Sequence, residues 1–126
     1  MSKTCFSSKT FGPSKLYSTA VEAGGLLFVS GMGPADPETG VVQKGDFDSQ
    51  IERVLQNLGI VLEEMGLAYT DVVKTNIYLA DMENFARANE AYTRYFTQDL
   101  PARTTVQVAR LPGDIAVEIE LVAALH

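Results

Sequence analysis

A four-residue apolar run near the start of the chain constrains the fold more than any other feature. Residues 26–29 are Leu-Leu-Phe-Val, with no polar residue among them. Side chains of a strand alternate between the two faces of a sheet, so such a run is typical of a strand buried on both faces. The sequence therefore predicts a sheet that needs a covering layer on each side.

This strand is predicted to belong to a hairpin. Residues 16–20 and Leu26–Met32 are rich in β-forming side chains, and the Gly24-Gly25 pair between them favours the positive φ of a tight turn. Residues 33–45 hold prolines and glycines among polar side chains, which predicts a loop.

Two helices are expected after the loop. Apolar residues recur at helical spacing from Asp46 until Gly66, which predicts the first helix. Asp81 is a candidate cap for the second helix, whose apolar stripe continues to Phe96 and must stop before Pro101.

Three further strands complete the predicted fold. They are expected at residues 71–80, 103–109 and 115–125, the last two joined into a hairpin by a Pro-Gly turn. The order β-β-α-β-α-β-β predicts one α+β domain over residues 1–126, with a mixed sheet and two helices on one face. Since the chain offers no third layer for the other face, we expect a second copy to cover it.

Composition argues against several classes of protein. A formal net charge of −6 and a pI near 4.6 make nucleic acid an unfavourable partner, because its affinity comes largely from Lys and Arg contacts. Cys5 is the only cysteine, and the only histidine, His126, is the last residue, which argues against histidine-based catalysis and metal sites. No apolar segment resembles a signal peptide or a membrane span, so we expect a cytoplasmic protein without a membrane partner.

The remaining candidate site is polar and lies on the last two predicted strands. Arg103, Thr105 and Gln107 alternate along one strand, and Glu118 and Glu120 alternate along the other, so each set shares a face. The two sets share the same face in one strand register and lie on opposite faces after a slip of one residue, which the sequence leaves open. A surface ion-pair cluster is the structural alternative to a binding site.

Several segments taken together resemble one protein family. They are Tyr-Ser-Thr-Ala-Val at 17–21, Phe-Val-Ser-Gly at 28–31, Asn-Phe-Ala-Arg-Ala-Asn-Glu-Ala-Tyr at 84–92, Pro-Ala-Arg-Thr-Thr-Val at 101–106 and Val-Glu-Ile-Glu at 117–120. The chain resembles the RidA/YjgF family over nearly its whole length.

The resemblance implies a chorismate-mutase-like fold and a homotrimer whose sheets line a central barrel, with clefts between neighbouring subunits. It also implies a metal-free enzyme without a cofactor. Family members hydrolyse reactive enamines and imines, such as 2-aminoacrylate, 2-iminopropanoate and 2-iminobutanoate, to 2-keto acids and ammonia.

The resemblance assigns roles to individual residues. Arg103 matches the arginine that grips the substrate carboxylate, a task that suits a planar guanidinium. Glu118 matches the glutamate beside the attacking water, which a carboxylate can orient or deprotonate. The residues that match the family's substrate-binding pocket are Tyr17, Ser30, Gly31, Asn89, Arg103 and Thr105.

Two departures from the family pattern affect the pocket. Thr105 stands where many members carry cysteine, so we expect activity to be retained and substrate preference to change. Lys15 and Leu16 precede Tyr17 where Gly-Pro is common, which predicts a less rigid loop.

Two other functions compete with the deaminase hypothesis. A ribonuclease or translation inhibitor is disfavoured by the acidic charge and by the lack of a histidine base. A non-catalytic metabolite sensor or chaperone-like binding protein would use Arg103 without needing Glu118.

Overall fold

The computed structural model describes residues 2–126, and Met1 lies outside the described part. Two α-helices and six β-strands make up the regular structure. The strands are β1 Thr4–Phe6, β2 Ala20–Ala23, β3 Leu26–Met32, β4 Val72–Leu79, β5 Ala102–Gln107 and β6 Val117–Ala124. The helices are α1 Phe47–Glu64 and α2 Phe85–Tyr92.

The six strands form one mixed sheet in the order β1-β2-β3-β6-β4-β5. All neighbouring strands are antiparallel except β4 and β5, which are parallel and are connected through α2. The predicted α+β class, with two helices and a mixed sheet, is confirmed.

The N-terminal part of the sheet differs from the prediction. The strand expected at residues 16–20 begins only at Ala20, because Leu16 and Tyr17 lie in a connecting segment and are 88% and 63% exposed. The edge strand β1 was not predicted. The turn was predicted correctly, since Gly24 and Gly25 have φ values of 61° and 80°, which a residue with a Cβ rarely adopts.

The predicted C-terminal hairpin is wrong. β5 pairs only with β4, and β4 also pairs with β6, so β4 lies between the two strands that were expected to be neighbours. The helical connection places β5 parallel and adjacent to β4, and β6 then pairs antiparallel with the other edge of β4 instead of with β5.

The two helices begin and end for identifiable reasons. Asp46 caps α1 by accepting a hydrogen bond from the Ser49 amide at 2.8 Å, and Gly66, with φ 73°, follows the helix end as predicted. Asp81 caps a short 3₁₀ turn by accepting from Glu83, and α2 begins only after that turn. α2 stops well before Phe96, whose ring instead stacks on Tyr92 at 4.4 Å.

The sheet has two different faces. The helix face is covered by α1 and α2 and contains fully buried side chains such as Leu27, Ile77 and Ile119. The opposite face, which we call the open face, carries Phe28, Tyr78, Val106, Glu118 and Val122 in register on neighbouring strands. Neither helix covers the open face, and Phe28 on it is 44% exposed. No helix among residues 2–126 has the length and apolarity needed to cross a membrane.

Candidate active site

Arg103 projects from β5 on the helix face, where its guanidinium is held by neutral groups. Nε donates to Thr105 Oγ1 at 2.9 Å, and Nη2 donates to Asn89 Oδ1 on α2. The residues that the resemblance grouped as Arg103, Thr105 and Asn89 therefore do lie together. Because two N–H groups of the planar guanidinium are held by acceptors, the direction in which the guanidinium points is fixed.

Two aromatic rings complete the surroundings of Arg103. The guanidinium carbon lies 4.8 Å from the Tyr92 ring centroid and 5.7 Å from that of Phe85. The Tyr92 hydroxyl shares a 2.9 Å hydrogen bond with Thr75 Oγ1, and burial raises the pKa of Tyr92 despite that bond and the nearby Arg103 charge.

These aromatic residues were missed as site residues. Their apolar spacing on α2 suggested core packing alone. Their positions in the sequence could have identified them. Residues 85, 89 and 92 fall on one side of a helix, so both aromatic rings lie on the same side as Asn89.

The charge of Arg103 has no counter-ion among residues 2–126. Within residues 2–126, no Asp or Glu oxygen forms a salt bridge with it, whereas Arg94 and Arg110 are paired with Glu52 and Asp114. A partly buried, oriented guanidinium without a carboxylate is ready to bind an external one through charge-assisted hydrogen bonds.

Glu118 lies on the open face of β6 against the end of β3. A Cβ placed on Gly31 would lie 2.8 Å from Glu118 Oε2, so the carboxylate occupies space that only glycine leaves free. Burial, and then the charge of Glu120, raises the pKa of Glu118. No ion pair with Glu118 occurs in residues 2–126. This carboxyl is therefore more basic than an ordinary glutamate.

The second glutamate is engaged by its own strand neighbours. Glu120 Oε1 accepts from the Tyr78 hydroxyl at 2.8 Å and from Asn76 Nδ2 at 3.4 Å. Burial, the hydrogen bond to Glu120 and the charges of both glutamates raise the pKa of Tyr78. Glu120 is fixed by these donors, which leaves Glu118 as the available carboxyl of the pair.

Tyr17, Ser30 and Gly31 line a pocket of about 190 Å³, and Gly31 is also the residue that Glu118 lies against. Tyr17 is mostly exposed, whereas Ser30 Oγ donates to the Ser18 carbonyl at 2.7 Å and so fixes the segment that carries Tyr17. The hydroxyl proton of Ser30 is therefore already used in a hydrogen bond within the chain.

The chain thus contains two separate groups of predicted site residues. Arg103 pairs in register with Thr75, which on its other side pairs with Leu121, whereas Glu118 pairs with Tyr78 on the opposite face. The register question is settled: the arginine and the glutamates lie on different faces, on strands separated by β4. One copy of the chain does not bring Arg103 and Glu118 into one cleft.

Potential metal ligands are scattered in the described part of the chain. No cluster of three or more His, Cys, Asp or Glu side chains in residues 2–126 is arranged to hold a metal ion. His126 lies at the surface and contacts Asp71 Oδ1 at 3.0 Å. The predicted absence of a metal and cofactor from the reaction stays a prediction.

A family model described as Endoribonuclease L-PSP matches residues 7–125 of this chain. The chain belongs to this family. A RutC family protein of Pyrococcus abyssi is 46% identical over 91% of this chain and 88% of its own length. The 2-iminobutanoate/2-iminopropanoate deaminase of Salmonella typhimurium is 37% identical over 98% of each chain.

The fold of this family is the one described above. A Yersinia pestis protein of the conserved Rid family has a solved structure with a TM-score of 0.93 to this chain, at 34% identity, over 98% of this chain and all of that one. The resemblance to the RidA/YjgF family and the predicted fold class are confirmed. A relative named as an imine deaminase occurs in the family beside others with no stated activity.

Proposed function

We propose that this protein hydrolyses 2-imino acids, and the enamines in equilibrium with them, to 2-keto acids and ammonia. The observation that carries the proposal is the Arg103 guanidinium, oriented by Asn89 and Thr105 and lacking a carboxylate partner in residues 2–126. A 2-imino acid supplies that carboxylate and places its C=N carbon one bond away. Binding at Arg103 would therefore fix the position of the reacting carbon.

Glu118 is proposed to act as the general base and general acid of the reaction. Its ionised carboxylate takes a proton from water as the oxygen adds to the carbon of the protonated imine, which gives a neutral carbinolamine. Glu118 returns that proton to nitrogen, and its carboxylate then takes the proton of the carbinol hydroxyl as the C–N bond breaks, so that the carbonyl forms and ammonia leaves. The released ammonia takes the proton from Glu118 and departs as ammonium, which restores the carboxylate. The raised pKa of Glu118 favours these transfers, because a carboxyl whose pKa lies nearer neutrality both accepts and returns a proton effectively.

The complete site is proposed to form between two copies of the chain. Arg103, Asn89 and Thr105 form one half on the helix face, and Glu118, Gly31, Ser30 and Tyr17 form the other half at the open face. A cyclic homotrimer that buries the open faces would join the arginine half of each copy to the glutamate half of its neighbour. Exposed Phe28 on that face supports burial by another copy.

Two findings favour a small imino acid over RNA as the substrate, although the family description names an endoribonuclease. The net charge of −6 opposes phosphate binding, and one full-length relative is named as an imine deaminase. The groups assembled at Arg103 fit one carboxylate.

The test is release of 2-keto acid when the protein is added to a threonine or serine dehydratase reaction. We expect acceleration by the wild type, none by Arg103→Ala, and full acceleration by Arg94→Ala, which removes an exposed, ion-paired arginine instead. No acceleration by a folded wild type with several amino acids would refute the deaminase proposal. RNA cleavage that persists in Arg103→Ala would assign the family's ribonuclease name to a different site.

A further inference from the structure

We infer that two buried carboxamides of α1, Gln50 and Asn57, are positioning residues for the glutamate half of the site. The inference rests on the proposed function and concerns how Glu118 is held in place. Gln50 is 5% exposed and Asn57 is fully buried, in a helix whose other inward side chains are almost all apolar. A carboxamide buried in such a position destabilises the folded state unless it is hydrogen-bonded.

Asn57 binds the loop that follows β3. Its Nδ2 donates to the Gly33 carbonyl at 3.2 Å and to the Ala35 carbonyl at 2.8 Å, and its Oδ1 accepts from Arg53 Nε at 3.1 Å. Both N–H groups of the amide therefore donate to backbone carbonyls outside the helix. Gly33 and Ala35 also line the pocket that contains Gly31.

Gln50 binds the segments that precede α1 and β6. Its Nε2 donates to the Gly45 carbonyl at 2.9 Å, and its Oε1 accepts from the Ala116 amide at 2.8 Å. Ala116 lies directly before β6 and two residues before Glu118. Gln50 thus fixes the entry of the strand that carries the carboxyl.

The two amides act on the two segments that meet at Glu118. They are seven residues apart, which places them on one side of α1. Gly33 is two residues beyond Gly31, and Ala116 is two residues before Glu118, so each amide holds the backbone close to one member of the Gly31–Glu118 contact. The held segments also approach each other, since a Cβ on Gly33 would lie 3.1 Å from Ile115 Cδ1.

The inference predicts a selective kinetic defect. Asn57→Leu and Gln50→Leu keep similar volume but release the held backbone, so kcat should fall by about 10- to 100-fold, as expected when a reacting group is misplaced by about 1 Å. KM should stay unchanged because neither amide touches Arg103. Tyr69→Phe is the matched control: it removes another hydrogen bond to α1, from the Tyr69 hydroxyl to the Leu55 carbonyl, and should leave kcat unchanged.

A double-mutant cycle separates positioning from general destabilisation. In the Glu118→Gln background, Asn57→Leu should lower the residual kcat no further, because the group that it positions is already disabled. A second loss as large as the loss in the wild-type background would mean that Asn57 acts independently of Glu118 and would overturn the inference.

Hydrogen–deuterium exchange provides a readout that needs no activity. Both leucine variants are expected to speed amide exchange in residues 31–36 and 115–118 by at least about tenfold, while β4 and α2 stay as protected as in the wild type. If the wild type hydrolyses no imino acid, the proposed function fails and exchange alone decides the positioning inference. Unchanged exchange, or an equal increase throughout the sheet, would refute it.

Discussion

The two faces of the sheet differ in how completely the chain buries their apolar side chains and pairs their polar groups. On the helix face, α1 and α2 bury the apolar side chains, and no buried side-chain nitrogen or oxygen within residues 2–126 lacks a hydrogen-bond partner. On the open face, Phe28 is exposed and Glu118 has a raised pKa and no ion pair among the same residues. The helix face stabilises the single chain, whereas the open face is the one that the proposed assembly would bury.

The proposed site uses both faces, and this explains why its halves have different properties. Arg103 is held by side chains of its own chain, so its geometry exists before any assembly. Glu118 rests against Gly31 and would meet substrate only across a subunit boundary. The predictions below test each face separately.

The largest effect is expected from Arg103→Lys on the helix face. Lysine keeps the charge but loses the fork that binds Thr105, Asn89 and a carboxylate together, so kcat/KM should fall by about 100-fold or more. Keto-acid release measures this effect. Activity within about twofold of the wild type would show that charge alone suffices and that the orientation of the guanidinium is unimportant.

The packing of the helix layer is tested by Gly59→Ala in α1. The new Cβ would overlap the Tyr69 hydroxyl, which must reach past Gly59 to the Leu55 carbonyl at 2.8 Å. We expect the free energy of unfolding to fall by about 2 kcal/mol in chemical denaturation. In a Tyr69→Ala background, Gly59→Ala should instead raise the free energy of unfolding. Alanine at position 59 then has space, and it favours the helix over glycine by about 1 kcal/mol. Destabilisation that is equal in both backgrounds would show that Tyr69 is not the cause.

The glutamate half is tested by Gly31→Ala. The added Cβ must displace Glu118, whose Oε2 and Cδ would lie at 2.8 and 2.9 Å, so kcat should fall by about tenfold with KM unchanged. Gly45→Ala is the control, since its Cβ meets only the Ser49 side chain, at the ordinary contact distances of 3.6 Å to Cβ and 3.9 Å to Oγ. A change in KM alone would place Gly31 in substrate binding instead.

The smallest effect is the pH dependence of stability due to Glu118. Its folded-state pKa is raised by burial and by Glu120, so the folded state holds the proton more tightly than the unfolded state. The free energy of unfolding therefore falls as pH rises from the unfolded-state pKa through the folded-state pKa. Glu118→Gln should be more stable than the wild type above that range and equal to it at lower pH, as measured by denaturation across pH. A wild type that is more stable than Glu118→Gln at high pH would contradict the account.

Much of the helix face could be predicted from the sequence, because burial leaves a periodic pattern. The stripe from Asp46 to Gly66 predicted α1 and its end, and Gly24-Gly25 predicted the first turn. β1 was missed because its three mostly exposed residues leave no alternation to detect.

Strand adjacency limited the prediction of the site. The alternation of Glu118 and Glu120 was predicted correctly, but neighbours in sequence were assumed to be neighbours in the sheet. The helix between β4 and β5 was the signal for a parallel pair, whereas the pairing of β6 with β4, which puts β4 between Arg103 and Glu118, left no such signal. Tyr78 and Asn76 were missed because polar site residues were sought on the last two predicted strands and not on β4.

The most direct test of the account is to combine two inactive variants in one assembly. Arg103→Ala and Glu118→Gln would be co-expressed with different tags, and the formation of mixed assemblies would be verified by native mass spectrometry. If each site takes Arg103 from one copy and Glu118 from the next, every mixed trimer regains one intact site, and random mixing restores roughly one quarter of wild-type keto-acid release. Activity no greater than the sum of the two separate variants, with mixed trimers present, would contradict a site shared between copies.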